Sequence, residues 1–152
     1  MAKSSSASQT PKKLPSNLAF YMLKEMPGEL GLLKEPMYEF SSNNYRKVEY
    51  LCDVPFTSFA GVQKYVTVAE KAAALFYTAT KDHLFPNGNK RTAVILTCSF
   101  LVYNNKWIRL SHEELYGLSL EIASSSSKEE SKAYNDILKI FKERIVDIAD
   151  AE

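Results

Sequence analysis

The residues most capable of chemistry in this sequence lie in one short segment, HLFPNGNKRTA, at residues 83–93. His83 is a base whose charge changes near neutral pH, and Gly88 allows a tight turn with exposed backbone amides. Lys90 and Arg91 place cations where a helix is expected to begin, and a helix N-terminus itself favours anions. Together these groups suit the activation of a hydroxyl and the binding of a nucleotide's phosphates.

Each part of this segment also has an ordinary explanation. Asn-Gly is a common turn dipeptide, and a single histidine near a helix end more often caps the helix or faces solvent. Lys90 and Arg91 in a first helical turn oppose the helix dipole, however, and that conflict makes sense when an anion binds there. The other histidine, His112, follows a predicted helix cap without such neighbours, and we interpret it as structural.

Two predicted helices hold the segment in place. Apolar residues recur at helical spacing over about residues 59–81, which places His83 just past the end of a helix. Residues 89–105 are apolar almost all round, as in a central buried helix. The segment is therefore expected to be anchored on the core.

Further helices are predicted in the C-terminal part, after an extended connector at residues 106–110. Ser111 and Glu114 form a capping-box pattern that opens a helix through Ile122. Ser127 and Glu130 repeat the pattern before a final amphipathic helix, whose apolar positions are Ala133, Ile137, Leu138, Phe141, Ile145 and Ile148.

The N-terminal part is less regular. Residues 17–36 suggest two short elements joined by a turn at Pro27-Gly28, the second element carrying Leu30, Leu32 and Leu33. Residues 36–55 predict either a small hairpin with its turn at residues 42–44 or a loop followed by a helix.

Length and composition set the wider frame. The 152 residues predict a single domain at residues 17–152, preceded by a disordered tail at residues 1–16 that is rich in Ser, Lys and Pro. A net charge of +1 gives no reason to expect a nucleic acid or a membrane as partner. Cys52 and Cys98 lack the spacing of a zinc site, and with no signal peptide in the sequence we expect a cytoplasmic protein.

The segment at residues 83–93 resembles the signature of the Fic superfamily, most closely the Doc (death-on-curing) branch, whose motif reads H-x-F-x-D/N-A/G-N-K-R. The similarity extends over about residues 66–141, and residues 1–55 carry no match of this kind. The resemblance implies a mainly all-α fold, a Fic/Doc-like helical domain in which a small β-hairpin flap is also allowed for.

The resemblance also implies a role for each motif residue. His83 would be the general base that takes a proton from a protein hydroxyl, and Phe85 would be a buried anchor that aims the loop. The nucleotide's phosphates would be bound by the turn and the start of the helix, namely Gly88, Asn89, Lys90 and Arg91, with the Asn89 side chain helping to hold a phosphate.

The sequence departs from the family pattern at three positions. Asn87 stands where these proteins commonly place an acidic residue that ligates Mg²⁺, and its amide brings no negative charge. Lys90 stands where adenylyl-transferring members usually have Gly, and Val94 stands where they have a second Arg. The last two departures favour the Doc branch.

The resemblance implies a Doc-like toxin that uses ATP and Mg²⁺ to transfer a phosphate to a hydroxyl side chain of a bacterial protein, such as a translation factor. No self-blocking Ser/Thr-x-x-x-Glu-Gly/Asn sequence is found, so an antitoxin-like inhibitor in trans is expected as a partner. Two alternatives remain: a Fic-type adenylyltransferase that transfers AMP to a protein hydroxyl with the same residues, and a catalytically degenerate module that binds nucleotide or protein without turnover.

Overall fold

The protein is described by a computed structural model that covers residues 10–29 and 38–151. These residues form six α-helices and two antiparallel strand pairs. The helices are α1 (Ser16–Glu29), α2 (Ser42–Asp53), α3 (Val68–Lys81), α4 (Asn89–Tyr103), α5 (His112–Ser124) and α6 (Glu130–Arg144). The strands are β1 (Ser58–Phe59), β2 (Val62–Gln63), β3 (Lys106–Ile108) and β4 (Ile145–Asp147), and short 3₁₀ helices cover Val54–Phe56, Ser127–Glu129 and Ile148–Asp150. The mainly helical fold is confirmed.

Helix α4 lies at the centre of the core. It packs against α1, α3, α5 and strand β3. Most of its apolar residues are buried, namely Ala93, Val94, Ile95, Leu96, Phe100 and Leu101, whereas Val102 and Tyr103 at its end are exposed. Helix α3 lies beside it and buries its own apolar face, which includes Leu75 and Phe76. Since α3 ends at Lys81 and α4 begins at Asn89, the core holds both ends of the intervening loop.

Side-chain caps fix where three of the helices begin. Ser41 accepts a hydrogen bond from the backbone of Asn44 at the start of α2. Thr67 and Ser111 each form a capping box with a glutamate, at the starts of α3 and α5. The box predicted at Ser111 is confirmed, whereas the second one lies one residue earlier than predicted, at Ser126 and Glu129, and opens a 3₁₀ turn before α6.

Two predicted elements are corrected by the structure. The helix predicted from residue 59 begins at Val68, because residues 58–63 form a β1–β2 hairpin whose turn has positive φ at Ala60 and Gly61. The hairpin predicted within residues 36–55 is absent from the described part of that range. Its alternative, a loop followed by a helix, is confirmed by α2.

The N-terminal segment packs against the core at residues that were predicted to belong to a disordered tail. Leu14 is buried in the core, and the backbone N–H and C=O of Lys12 both bond the side-chain amide of Asn104. The tail prediction is therefore wrong for residues 12–14, because an apolar side chain and a backbone pair are held there. Helix α1 includes Pro27-Gly28, and the element predicted at Leu30 to Leu33 lies outside the described residues.

The C-terminal segment closes the domain as a strand. The connector predicted at residues 106–110 contains β3, which pairs antiparallel with β4. Helix α6 therefore ends at Arg144, short of the predicted Ile148, since residues 145–147 leave the helix to pair with β3. Among residues 10–29 and 38–151, every helix is too short or too polar to span a membrane.

Candidate functional site

The loop between α3 and α4 borders a cavity of about 330 Å³ on the protein surface. It is lined by Thr80, His83, Pro86, Asn87, Gly88, Asn89 and Lys90. His83 is exposed and has φ of +50°, a left-handed conformation that is uncommon for a residue other than glycine. The sequence-predicted base therefore lies at the edge of an open cavity and not in the core.

The Asn89 side chain holds the loop in shape. Its Oδ1 accepts a hydrogen bond from the backbone N–H of Phe85 at 3.1 Å, and its Nδ2 donates to the backbone C=O of Phe85 at 2.8 Å. Both polar ends of the amide are thus directed at the loop backbone. Although Asn89 borders the cavity, its side chain acts here as an internal clamp, a role that the sequence did not indicate.

Phe85 is the buried centre of the loop. Its ring is stacked on the ring of Tyr38, with centroids 3.8 Å apart and planes 11° from parallel. The ammonium of Lys47 lies 5.5 Å from the same ring's centroid, within the range of a cation–π contact. The side chain predicted to be an anchor is therefore held by two residues from outside the motif.

Helix α4 begins without a side-chain cap. Gly88 is its N-cap residue, with φ of +76°, and offers no side chain to accept a hydrogen bond. The first intrahelical bond runs from Thr92 N to Gly88 O, so the preceding amides, those of Asn89, Lys90 and Arg91, have no acceptor within the helix. An uncapped N-terminus of this kind favours an anion.

Two basic side chains lie at this helix start in different surroundings. Lys90 is partly exposed and lines the cavity. Arg91 is only 3% exposed and is not part of the cavity wall, and within residues 10–29 and 38–151 its guanidinium has no hydrogen-bond acceptor or ion-pair partner. Val94, at the position of the second Arg in the family pattern, is fully buried in the core. A basic side chain in its place would disrupt the packing.

A hydrogen-bonded chain lies behind the loop. Thr92 Oγ1 donates to Gly88 O at 2.8 Å, and the Tyr38 hydroxyl lies 2.8 Å from Thr92 Oγ1. Burial raises the pKa of Tyr38 to about 12, so the phenol keeps its proton at neutral pH. Tyr38 is buried, and the sequence did not indicate these contacts because Tyr38 lies 54 positions before Thr92.

The residues that frame the loop make few other polar contacts. The ammonium of Lys81, at the end of α3, donates to Ile122 O at 3.2 Å and so ties the loop to the end of α5. Asp82 is exposed and accepts a hydrogen bond from the Tyr50 hydroxyl. The buried Thr80 hydroxyl has no hydrogen-bond partner among the described residues.

The cavity offers little to a metal ion. Asn87 is exposed on its wall and could supply one neutral oxygen, but the lining contributed by the described residues contains no carboxylate. The described residues also contain no group of three or more His, Cys, Asp or Glu side chains placed to hold a metal. Mg²⁺ is usually held by one or two carboxylates together with substrate phosphates, so these residues do not fit a protein-held Mg²⁺ site.

A comparison with protein families places this loop in a known context. The model of the Fic/DOC family matches residues 11–101, which include the whole loop and most of α4. The match begins well before residue 66, so the expectation that residues 1–55 carry no resemblance is wrong for residues 11–55. No curated protein and no solved structure matches the chain.

Proposed function

Because this chain belongs to the Fic/DOC family, whose members are generally protein-modifying transferases, we propose that it transfers a phosphate from ATP to a hydroxyl side chain of another protein. We expect the target to be a bacterial protein of the cytoplasm, such as a translation factor. The closeness to Doc seen in the motif also supports a toxin role, in which an antitoxin-like protein binds over the site.

The observation that carries this proposal is the group of hydrogen-bond donors and positive charge at the start of α4, beside the cavity. No side-chain cap bonds the amides of the first turn, and Lys90 lines the cavity. Free amides at a helix N-terminus and a lysine beside them both favour a bound anion. A phosphate chain bound at this end of α4 would satisfy all of these groups at once.

In this proposal the residues of the loop have different roles during transfer. His83 Nε2 or Nδ1 would accept the proton of the target hydroxyl, whose oxygen attacks the γ-phosphorus. The new O–P bond forms while the bond from the γ-phosphorus to the β,γ-bridging oxygen breaks, so that ADP leaves with that electron pair. The α4 amides and Lys90 would bind the negative charge on the transferring and leaving groups.

The residues at positions 90 and 94 favour transfer of phosphate over transfer of AMP. Adenylyl transfer needs a firm hold on the departing β- and γ-phosphates, which a second Arg supplies in the related enzymes. Here that position is Val94, which is buried and cannot bind a phosphate. Lys90 also stands where those enzymes have Gly. An inverted nucleotide, with its γ-phosphate towards His83, suits this arrangement better.

Members of the family generally use ATP with Mg²⁺. The chemistry that a bound Mg²⁺ supplies is neutralisation of phosphate charge. Since the described residues that line the cavity include no carboxylate, we expect the ion to depend chiefly on the phosphates for its binding.

The decisive experiment compares α-labelled and γ-labelled ATP in parallel reactions with the purified protein, Mg²⁺ and a bacterial lysate. The proposal expects label on a lysate protein from the γ position only, and none with the His83→Ala variant. Label from the α position only would identify an adenylyltransferase. Label from neither position would favour a module that binds without turnover.

A further inference from the structure

Tyr38 lies outside the segment at residues 83–93 but contacts residues near both ends of the loop between α3 and α4. Its ring is stacked on Phe85 near the start of the loop, and its hydroxyl reaches Thr92 beyond the end. The residue is 4% exposed, so it cannot touch a nucleotide in the cavity directly. Its effect on the site must therefore pass through the residues that it holds.

The single hydroxyl proton of Thr92 determines which group donates in each hydrogen bond of this chain. Thr92 has one hydroxyl proton, and the contact with Gly88 O at 2.8 Å uses it. The Tyr38 hydroxyl, 2.8 Å from the same Thr92 oxygen, must then be the donor. Gly88 O also accepts the backbone N–H of Thr92 at 2.9 Å, so the carbonyl is held by two bonds, one of which is backed by Tyr38.

Because the peptide bond is planar, the direction of the Gly88 carbonyl also fixes the direction of the Asn89 N–H at the start of α4. Gly88 C=O and Asn89 N–H belong to one peptide unit, and all described peptide bonds are trans. In a trans peptide the N–H and C=O point in opposite directions. Holding Gly88 O towards the helix therefore turns the N–H of Asn89 outwards, at the uncapped end of α4. Glycine has the freest backbone of all residues, so this peptide needs such a restraint.

We propose that Tyr38 is a positioning residue that, through Thr92, sets the direction of the Gly88–Asn89 peptide and thereby preorganises the α4 amides for phosphate. This role rests on the proposed function as far as phosphate binding is concerned. The restraint on the peptide itself does not depend on it. The two parts can therefore be tested separately.

The test uses Tyr38→Phe, which keeps the ring stacked on Phe85 and removes only the hydroxyl. Thr92→Val breaks the chain at its next link, and Thr92→Ser keeps it. Tyr45→Phe is the matched control, because the Tyr45 ring also packs on an aromatic neighbour but its hydroxyl has no hydrogen-bond partner among the described residues. Melting temperatures confirm that each variant is folded, and if Tyr38→Phe fails to fold, Thr92→Val carries the test.

The first measurement is the ¹⁵N relaxation order parameter of the amides of residues 88–91 in the nucleotide-free protein. We expect it to fall in Tyr38→Phe and Thr92→Val and to stay at the wild-type value in Thr92→Ser and Tyr45→Phe. An order parameter that is unaltered in Tyr38→Phe would overturn the positioning role, whatever ATP does.

The second measurement is ATP binding by calorimetry. Tyr38→Phe and Thr92→Val should each weaken binding about fivefold, the factor that a single neutral hydrogen bond contributes. The double variant should be no weaker than either single one, since both changes break one chain. If the wild-type protein binds ATP and Tyr38→Phe binds it equally well, preorganisation is refuted while the proposed function stays intact. A wild-type protein that binds no ATP would refute the proposed function, and the order parameters would still decide the role of Tyr38.

Discussion

Replacing Asn89 with Ala separates two explanations of this residue. The family motif implies that its side chain helps to hold a phosphate, whereas the structure directs both ends of its amide to the backbone of Phe85. If the amide is a clamp, its loss should destabilise the protein even without nucleotide. If it serves only the phosphate, stability should not change.

The size of the effect follows from the contacts. The variant loses two hydrogen bonds, to an N–H and a C=O of buried Phe85. Each such bond contributes a net 0.5–1.5 kcal/mol, and a buried group left without a partner adds to the loss, so the expected cost is about 2–3 kcal/mol. In a chain of this size 1 kcal/mol shifts Tm by about 2–4 °C. Tm should therefore fall by roughly 4–12 °C.

The matched control is Asn87→Ala, which removes the same chemical group from the same loop. Asn87 is exposed and makes no hydrogen bond within the described residues, and a substitution of this kind usually changes stability by no more than about 0.5 kcal/mol. Both variants are to be melted by calorimetry without nucleotide. Equal melting temperatures for the two variants would refute the clamp and restore the phosphate-holding role.

Four further predictions concern the loop and one helix cap. His83→Ala should lower transfer by about 10²–10⁴-fold at unchanged Tm, because the residue is exposed; a folded and fully active variant would exclude it as the base. Lys90→Ala should weaken ATP binding in calorimetry more than Lys132→Ala, an exposed lysine that pairs with Asp136, and equal affinities would remove Lys90 from the phosphate site. Asn87→Asp should lower the Mg²⁺ concentration that gives half-maximal transfer, since it adds a charged oxygen ligand, and a metal titration without such a gain would show another role. Hydrogen bonds from the backbone of Thr67 and Val66 lower the pKa of Glu70, so this carboxylate adds stability above its ordinary pKa, and that stability is lost as the pH falls through the lowered pKa. Glu70→Gln should remove this part, which urea unfolding of both proteins at several pH values would measure. An equal dependence of the free energy of unfolding on pH in the two proteins would contradict the prediction.

Much of the helical frame could be predicted because its signals are local. The all-round apolar pattern of α4 and the capping box at Ser111 depend on residues close together in the chain, and both are confirmed by the structure. The strand β4 could not be predicted in this way. Residues 145–147 continue the helical pattern of α6 and become a strand only because β3 lies beside them, a pairing that spans about forty residues.

The candidate site was predictable only in part, for the same reason. The types and spacing of His83, Gly88 and Lys90 point to the cavity that they line. The stacking of Tyr38 on Phe85 is a tertiary contact that no sequence pattern announces. The clamp at Asn89 was missed because an Asn at a helix start is ordinarily expected to face a ligand or cap its own helix, and here it turns back to the preceding loop.

The start of α4 differs from the starts of its neighbours in a way that stability alone does not explain. Helices α2, α3 and α5 begin with Ser or Thr caps, which typically contribute about 1 kcal/mol each. Helix α4 begins with Gly and carries two basic residues in its first turn, where positive charge is unfavourable. The burial of the α4 core residues is large enough to offset that cost. A helix start that is poor for the unliganded protein becomes favourable once an anion binds, and this reversal is the physical basis for regarding the loop as a phosphate site.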